Sequence, residues 1–107
     1  MVRFAVNLLG SCRVARVATG EELAFRTRKT RLLLGLLLLS PGWRLNREQL
    51  ASLLWDPAPE ALARSSLRQA LRELREVLGP DGEDVVEADR FSVALNGSAF
   101  DVDVHRF

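Results

Sequence analysis

The chain has 107 residues, 48% of them hydrophobic and 27% charged, a composition that fits one globular domain with a single modest core and excludes wholesale disorder. The net charge of +1 conceals an asymmetry: residues 1–79 carry 13 Arg/Lys against 7 Asp/Glu, and residues 80–107 carry 2 against 7. A polyanion would therefore meet the first part of the chain, through arginines whose planar forks suit phosphate and guanine.

Residues 2–25 read as a meander of short strands. Val2, Phe4 and Val6 alternate with Arg3, Ala5 and Asn7; Gly10-Ser11 turns; Cys12 to Val17 suggests a second strand; Thr19-Gly20 turns again; and Leu23 to Phe25 suggests a third. Cys12 is the lone cysteine, so no disulfide framework or multi-cysteine metal site is expected, and the lone thiol fits a reducing cytoplasm as a half-buried strand residue.

From Arg28 the period becomes helical. RKTRLLLGLLLL is apolar almost all round, which predicts a buried helix opened by Thr27 or Thr30 and stopped by Pro41-Gly42. The apolar run Leu32 to Leu39 lies far below the roughly 20 residues that span a bilayer, and too far along the chain for a cleaved signal, so no membrane is implied. Arg26, Arg28, Lys29 and Arg31 ahead of it read as a solvated charge run. Trp43 to Asn46 reads as an extended link with Trp43 in the core. Asn46 caps a second helix, NREQLASLLW, with Gln49 at the capping-box position and an apolar stripe of Leu50, Leu53 and Leu54. Asp56-Pro57-Ala58-Pro59 must break it.

A third helix runs from about Glu60 to Leu78 and ends at Gly79-Pro80. At about 100° per residue it has two faces. Ala63, Leu67, Ala70, Leu71, Leu74, Val77 and Leu78 share one; Arg64, Arg68, Arg72 and Arg75 form a ridge on another, beside Ser65 and Gln69, with Glu73 and Glu76 offered as partners to Arg72 and Arg68. An apolar stripe that fixes the helix to its own domain, opposite a row of long donors, is what reading a duplex requires. A salt-bridged surface helix would carry similar decoration. The context favours the first: a capped helix, a break, the basic helix, then strand-like runs Val85 to Glu87 and Phe91 to Leu95 around Ala88-Asp89-Arg90, a hairpin. Phe100 to Phe107 alternates and is expected to pair with that hairpin. His105, the one histidine, has no second ligand, and Asp101 and Asp103 have no cleft for a catalytic pair, so no enzyme, metal or cofactor is expected.

The stretch RKTRLLLGLLLLSPGWRLNREQLASLLWDPAPEALARSSLRQALRELREVLG resembles the DNA-binding domain of the SARP/AfsR-type transcriptional regulators, a branch of the OmpR/PhoB-type winged-helix proteins. The closing DVDVHRF is similar to the segment where that family's helical activation domain begins. The resemblance implies an α+β fold, a winged helix-turn-helix with an N-terminal four-stranded antiparallel sheet, three helices and a C-terminal β-hairpin wing. It implies that residues 1–107 form one such domain, the N-terminal part of a larger cytoplasmic regulator. Its third helix would enter the major groove and its wing would reach the neighbouring minor groove, the domain binding direct or inverted repeats as a possible homodimer and recruiting RNA polymerase. By position Arg64, Ser65, Ser66, Arg68, Gln69 and Arg72 fall on the family's DNA-facing surface, Arg44 and Arg47 where it meets phosphate, Arg90 at the wing tip, and Trp55 at the core tryptophan. The wing departs from the family in being acidic, with Glu83, Asp84, Glu87 and Asp89 around Arg90. That narrows the expected contact to the major groove and its flanking phosphates, and gives substance to a rival reading, a protein-interaction module whose basic helix docks an acidic partner.

Overall fold

The computed structural model describes residues 2–9 and 12–103. The chain runs β1 (Phe4–Asn7), β2 (Arg13–Arg16), α1 (Arg28–Leu39), β3 (Arg44–Asn46), α2 (Arg47–Trp55), α3 (Glu60–Leu78), α4 (Gly82–Val85), β4 (Val86–Ala88), β5 (Ser92–Leu95) and β6 (Phe100–Val102). The fold is α+β, with two three-stranded sheets ordered β2-β1-β6 and β3-β5-β4 around the helices.

Each helix begins and ends where local chemistry dictates. Thr27, in extended conformation, accepts from the Thr30 amide at 3.2 Å and opens α1, and Pro41 follows its Ser40 cap. Five α1 residues are buried, Thr30, Leu33, Leu34, Leu37 and Leu38, but Leu32 and Leu39 face solvent, so the helix is covered on one broad side rather than all round. At α2 the capping box forms: the Gln49 amide donates to Asn46 Oδ1 at 2.7 Å, and Gln49 Oε1 accepts from the Asn46 amide at 3.2 Å. Only Leu50 and Leu54 of its expected stripe are buried; Leu53, one helical step off that i, i+4 line, is exposed. No basic residue stands in the last turn of α2, and Lys29 of α1 substitutes by donating to the Leu54 carbonyl while lying 5.8 Å from the Trp55 ring centroid.

Along α3 the apolar face is buried as the periodicity requires, through Ala63, Leu67, Ala70, Leu71, Leu74 and Leu78, with Val77 half-buried. The helix stops at Gly79, whose φ of 73° and ψ of −143° suit only glycine, and the Arg16 guanidinium donates to the freed Leu78 carbonyl at 2.9 Å. A Cβ at Gly79 would stand 2.6 Å from Arg16 Nη2, the movable end of a long side chain, so it is the backbone conformation that demands the glycine.

The sheets depart from expectation in three places. Leu23 to Phe25 forms no third meander strand; an isolated bridge joins Ala15 to Glu22, and the Leu23 amide donates to Val14 at 2.8 Å before the chain turns away to α1. The link before α2 is a strand, β3, antiparallel to β5, so Leu45 faces Val93 and the helix pair is tied directly to the hairpin. The closing strand β6 pairs with β1, in parallel, rather than with the hairpin. The first sheet is therefore three-stranded and mixed among the described residues, not four-stranded and antiparallel. Phe4 stacks on Phe100 across that pairing, with ring centroids 5.4 Å apart, and both rings join the core. Asp103 accepts from the amides of Leu8 and Leu9 at 2.8 and 3.0 Å, which gives that carboxylate a structural role.

Neither tryptophan is a core residue in the simple sense. Trp43, at φ 55° and 38% exposed, lies flat on Gly97, where a Cβ would come within 2.1 Å of its ring; Trp55 is half-buried under Lys29. Burial pushes the Cys12 thiol above its ordinary value, with Arg31 pulling weakly the other way, so the thiol is protonated at neutral pH. No helix is long and apolar enough to cross a membrane, and no cluster of metal-ligating side chains occurs among the described residues. His105 lies outside the described residues.

Candidate nucleic-acid interface

α2 and α3 are joined by the four-residue break Asp56 to Pro59 and pack closely, with α3 held from behind by α1. Burial of one side of α3 fixes which side faces solvent. Arg64, Ser65, Arg68, Gln69 and Arg72 are exposed on it, and Ser66, nearer the apolar face, is half-buried. Arg75 leaves the expected ridge: it is half-buried where the helix end meets α4, and its Nε has no partner among the described residues.

The polar side chains on this face are partly ordered by one another. Arg64 forms an i, i+4 ion pair with Glu60, and Arg68 Nη2 reaches Ser65 Oγ at 3.5 Å. Gln69 Nε2 donates to Glu73 at 3.4 Å. Glu73 and Glu76 do not pair with Arg72 and Arg68 as their spacing suggests. Glu73 instead accepts from the buried Thr30 hydroxyl at 2.7 Å, and Glu76 stands 3.5 Å from Arg26, so both acids tie α3 back to the start of α1. Of the basic run, Arg28, Lys29 and Arg31 lie within the first turn of α1 rather than ahead of it, and Arg26, Lys29 and Arg31 are engaged within the domain, Arg31 over the Phe25 ring. Arg72, exposed, makes no hydrogen bond or ion pair among the described residues.

The hairpin closes the other side. β4 and β5 pair in the register Val86↔Leu95, Glu87↔Ala94 and Ala88↔Val93, and the tip is stapled by Asp89, whose Oδ1 accepts from the amides of Phe91 and Ser92, both at 2.8 Å. Those donors, Ser92 foremost, hold the Asp89 carboxyl below its ordinary pKa, helped by the Ser92 hydroxyl and Arg44. Arg44 and Arg47 both grip this tip: Arg44 Nη1 donates to Ser92 Oγ at 2.6 Å, and Arg47 donates through Nε to the Asp89 carbonyl at 2.6 Å and through its amide to the Phe91 carbonyl at 2.8 Å. Arg90 is exposed at the tip itself.

One open groove results, walled by α2, the first half of α3 and the hairpin tip. Arg47, Arg64, Arg68 and Arg90 line it with Trp55 and Phe91, against the carboxylates Glu48, Asp56 and Glu60. Four of the nine residues singled out from sequence, Arg47, Arg64, Arg68 and Arg90, thus line one concavity; Ser65, Gln69 and Arg72 are exposed on the same helix outside its lining, Arg44 is bonded to the hairpin through Ser92, and Ser66 is half-buried.

Residues 20–90, most of the chain, match the family model described as the C-terminal domain of transcriptional regulatory proteins. The chain belongs to that family. It is an OmpR/PhoB-type winged-helix domain, and its general role is regulation of transcription through DNA binding, which is not an enzymatic task. A comparison with curated proteins gave no match. Within this winged-helix domain, sequence reasoning missed Phe91. It opens the strand-like run Phe91 to Leu95, but the pairing of β4 with β5 ends at Ala88↔Val93, and Phe91 sits in the loop at 73% exposure. The signal available was its place directly after Asp89-Arg90, a turn-forming pair.

Proposed function

We propose that this domain binds duplex DNA sequence-specifically by laying the exposed face of α3 into the major groove. The observation that carries the reading is the arginine row Arg64, Arg68 and Arg72 on a helix whose opposite side is locked into the core, beside a groove that the hairpin tip extends. Arg68 and Arg72 are the guanine or phosphate donors, Ser65 and Gln69 the shorter readers, and Arg64 engages once phosphate displaces Glu60. Arg90 supplies a phosphate contact from the tip. Arg44 and Arg47, bonded to the hairpin, hold the tip in place and present their remaining donors to phosphate. Ser66, half-buried nearly two turns into α3, contributes only at the edge of the interface.

The resemblance carries the finer identity: a SARP/AfsR-type cytoplasmic regulator of bacterial transcription, in which residues 1–107 form one domain ahead of further ones, pairing on repeat sites and recruiting RNA polymerase. The rival reading, docking of an acidic protein, drew on the acidic hairpin. With Glu83 and Asp84 on α4 rather than on the hairpin, and Asp89 committed to the turn amides, Glu87 is the hairpin carboxylate left to support it.

The test is a gel-shift series on duplexes enriched from a random pool. Arg68→Ala and Arg72→Ala should each weaken binding by about 1–3 kcal/mol, with melting temperature unchanged and a shallower dependence on salt. Unaltered affinity in both variants would sink the reading.

A further inference from the structure

Phe91 is the most exposed large apolar side chain among the described residues, at 73%. A single exposed apolar group is ordinarily unremarkable in a protein surface. What sets this one apart is its mounting. Four hydrogen bonds fix the backbone immediately around it: its amide to Asp89 Oδ1, its carbonyl from the Arg47 amide, the Ser92 amide to Asp89 Oδ1, and the Asp89 amide to the Ser92 carbonyl at 3.0 Å. The turn therefore holds an aromatic ring outward on a pre-ordered support, so little further backbone entropy is lost when the ring meets a partner. The ring also lines the groove that Arg64, Arg68 and Arg90 line, so whatever partner those cations attract will meet the ring as well.

From this we infer that Phe91 is an apolar wedge for duplex DNA, inserted from the hairpin tip against a base step or deoxyribose next to the groove that α3 enters. The inference rests on the DNA-binding reading and adds to it a contact that is neither charged nor hydrogen-bonded. It also resolves a tension in the hairpin, whose exposed carboxylate Glu87 weakens electrostatic attachment there. A wedge draws its contact from apolar burial and unstacking of a step, and bends the duplex toward the protein. Arg90 beside it holds the flanking phosphate.

The experiment compares wild type, Phe91→Ala, Phe91→Trp and Arg68→Ala on a 30-base-pair duplex enriched by the wild-type chain, measuring affinity across a salt series and end-to-end distance by energy transfer between terminal dyes. Phe91→Ala should weaken binding about tenfold, the scale of one lost aromatic–base stack, with the salt slope unchanged because no cation is removed. It should also lengthen the bound duplex, and Phe91→Trp should restore both readings. Melting temperature should stay at the wild-type value. Affinity within twofold of wild type, or an unchanged end-to-end distance, overturns the wedge. So does a loss that follows the disappearance of a dimer in sedimentation, which would assign the ring to a protein contact. If Phe91→Ala is silent while Arg68→Ala binds poorly, the wedge falls and the DNA-binding reading stands; if wild type enriches no duplex, both fall.

Discussion

α3 and the hairpin reach solvent beside the same groove, and they are built in opposite ways. The helix is rigid because its back is buried: six residues packed into the core position a row of long, flexible arginines in front. The hairpin is rigid at its tip because its polar groups are satisfied internally: Asp89, Ser92, Arg44 and Arg47 bond to one another and to the turn backbone, and what remains outward is Arg90 and a bare ring. Precision on the helix comes from packing, and on the hairpin from hydrogen bonds. The two elements should therefore fail under different insults.

The largest effect should come from the packed side. Leu74 is fully buried in the middle of α3, and Leu74→Ala should cost about 2–5 kcal/mol, read as a lowered urea midpoint, with DNA affinity lost only as the fold is lost. A smaller and more informative change is Asn46→Ala at the junction of the two regions, where Asn46 both caps α2 and pairs with Ser92 of the hairpin. Removal of that cap should cost about 1 kcal/mol in the same assay. If hydrogen exchange then rises in α2 alone and not at the tip, the helix pair and hairpin are less coupled than their shared strand implies.

The smallest effect should be confined to the hairpin. Because the turn amides hold the Asp89 pKa below the unfolded value of about 3.9, the ionised carboxylate supports the tip above that pH, and the support disappears as pH falls through the lower folded value. Amide shifts of Phe91 and Ser92 should titrate together, with a midpoint below that of an ordinary aspartate, while α3 amides stay unchanged over the same range. A midpoint at the ordinary value would mean that hydrogen bonding at the tip is not what orders it.

The same contrast governs what could be read before the structure. α2 and α3 were legible almost to the residue, because caps, prolines and a 3.6-residue period are local signals: Asn46 with Gln49, the Asp56 to Pro59 break and Gly79 all act where they stand. The arginines nearest the groove followed from the apolar stripe opposite them. Illegible were features set by distant partners. β6 and β1 carry nothing in their alternation to say that they join, or that they do so in parallel. Arg75 shares the ridge's angular position, yet it is half-buried where α3 meets the start of α4; Glu73 has an arginine within helical reach, yet a buried threonine on α1 claims it. Phe91 fits a strand pattern that its register does not extend to include.

The parallel pairing of β1 with β6 has a consequence for how the chain reaches its shape. Residues 4 and 100 are register partners, and Asp103 holds the amides of Leu8 and Leu9, so the first sheet closes over nearly the whole length of the domain. During synthesis the helices can assemble as they emerge, but the free edge of β1 stays open until its partner leaves the ribosome. Closing so long a loop is entropically late and slow. The joining of β1 to β6 is therefore expected to follow the local contacts of the helices, and it is a step that a chain interrupted shortly before residue 100 could never take.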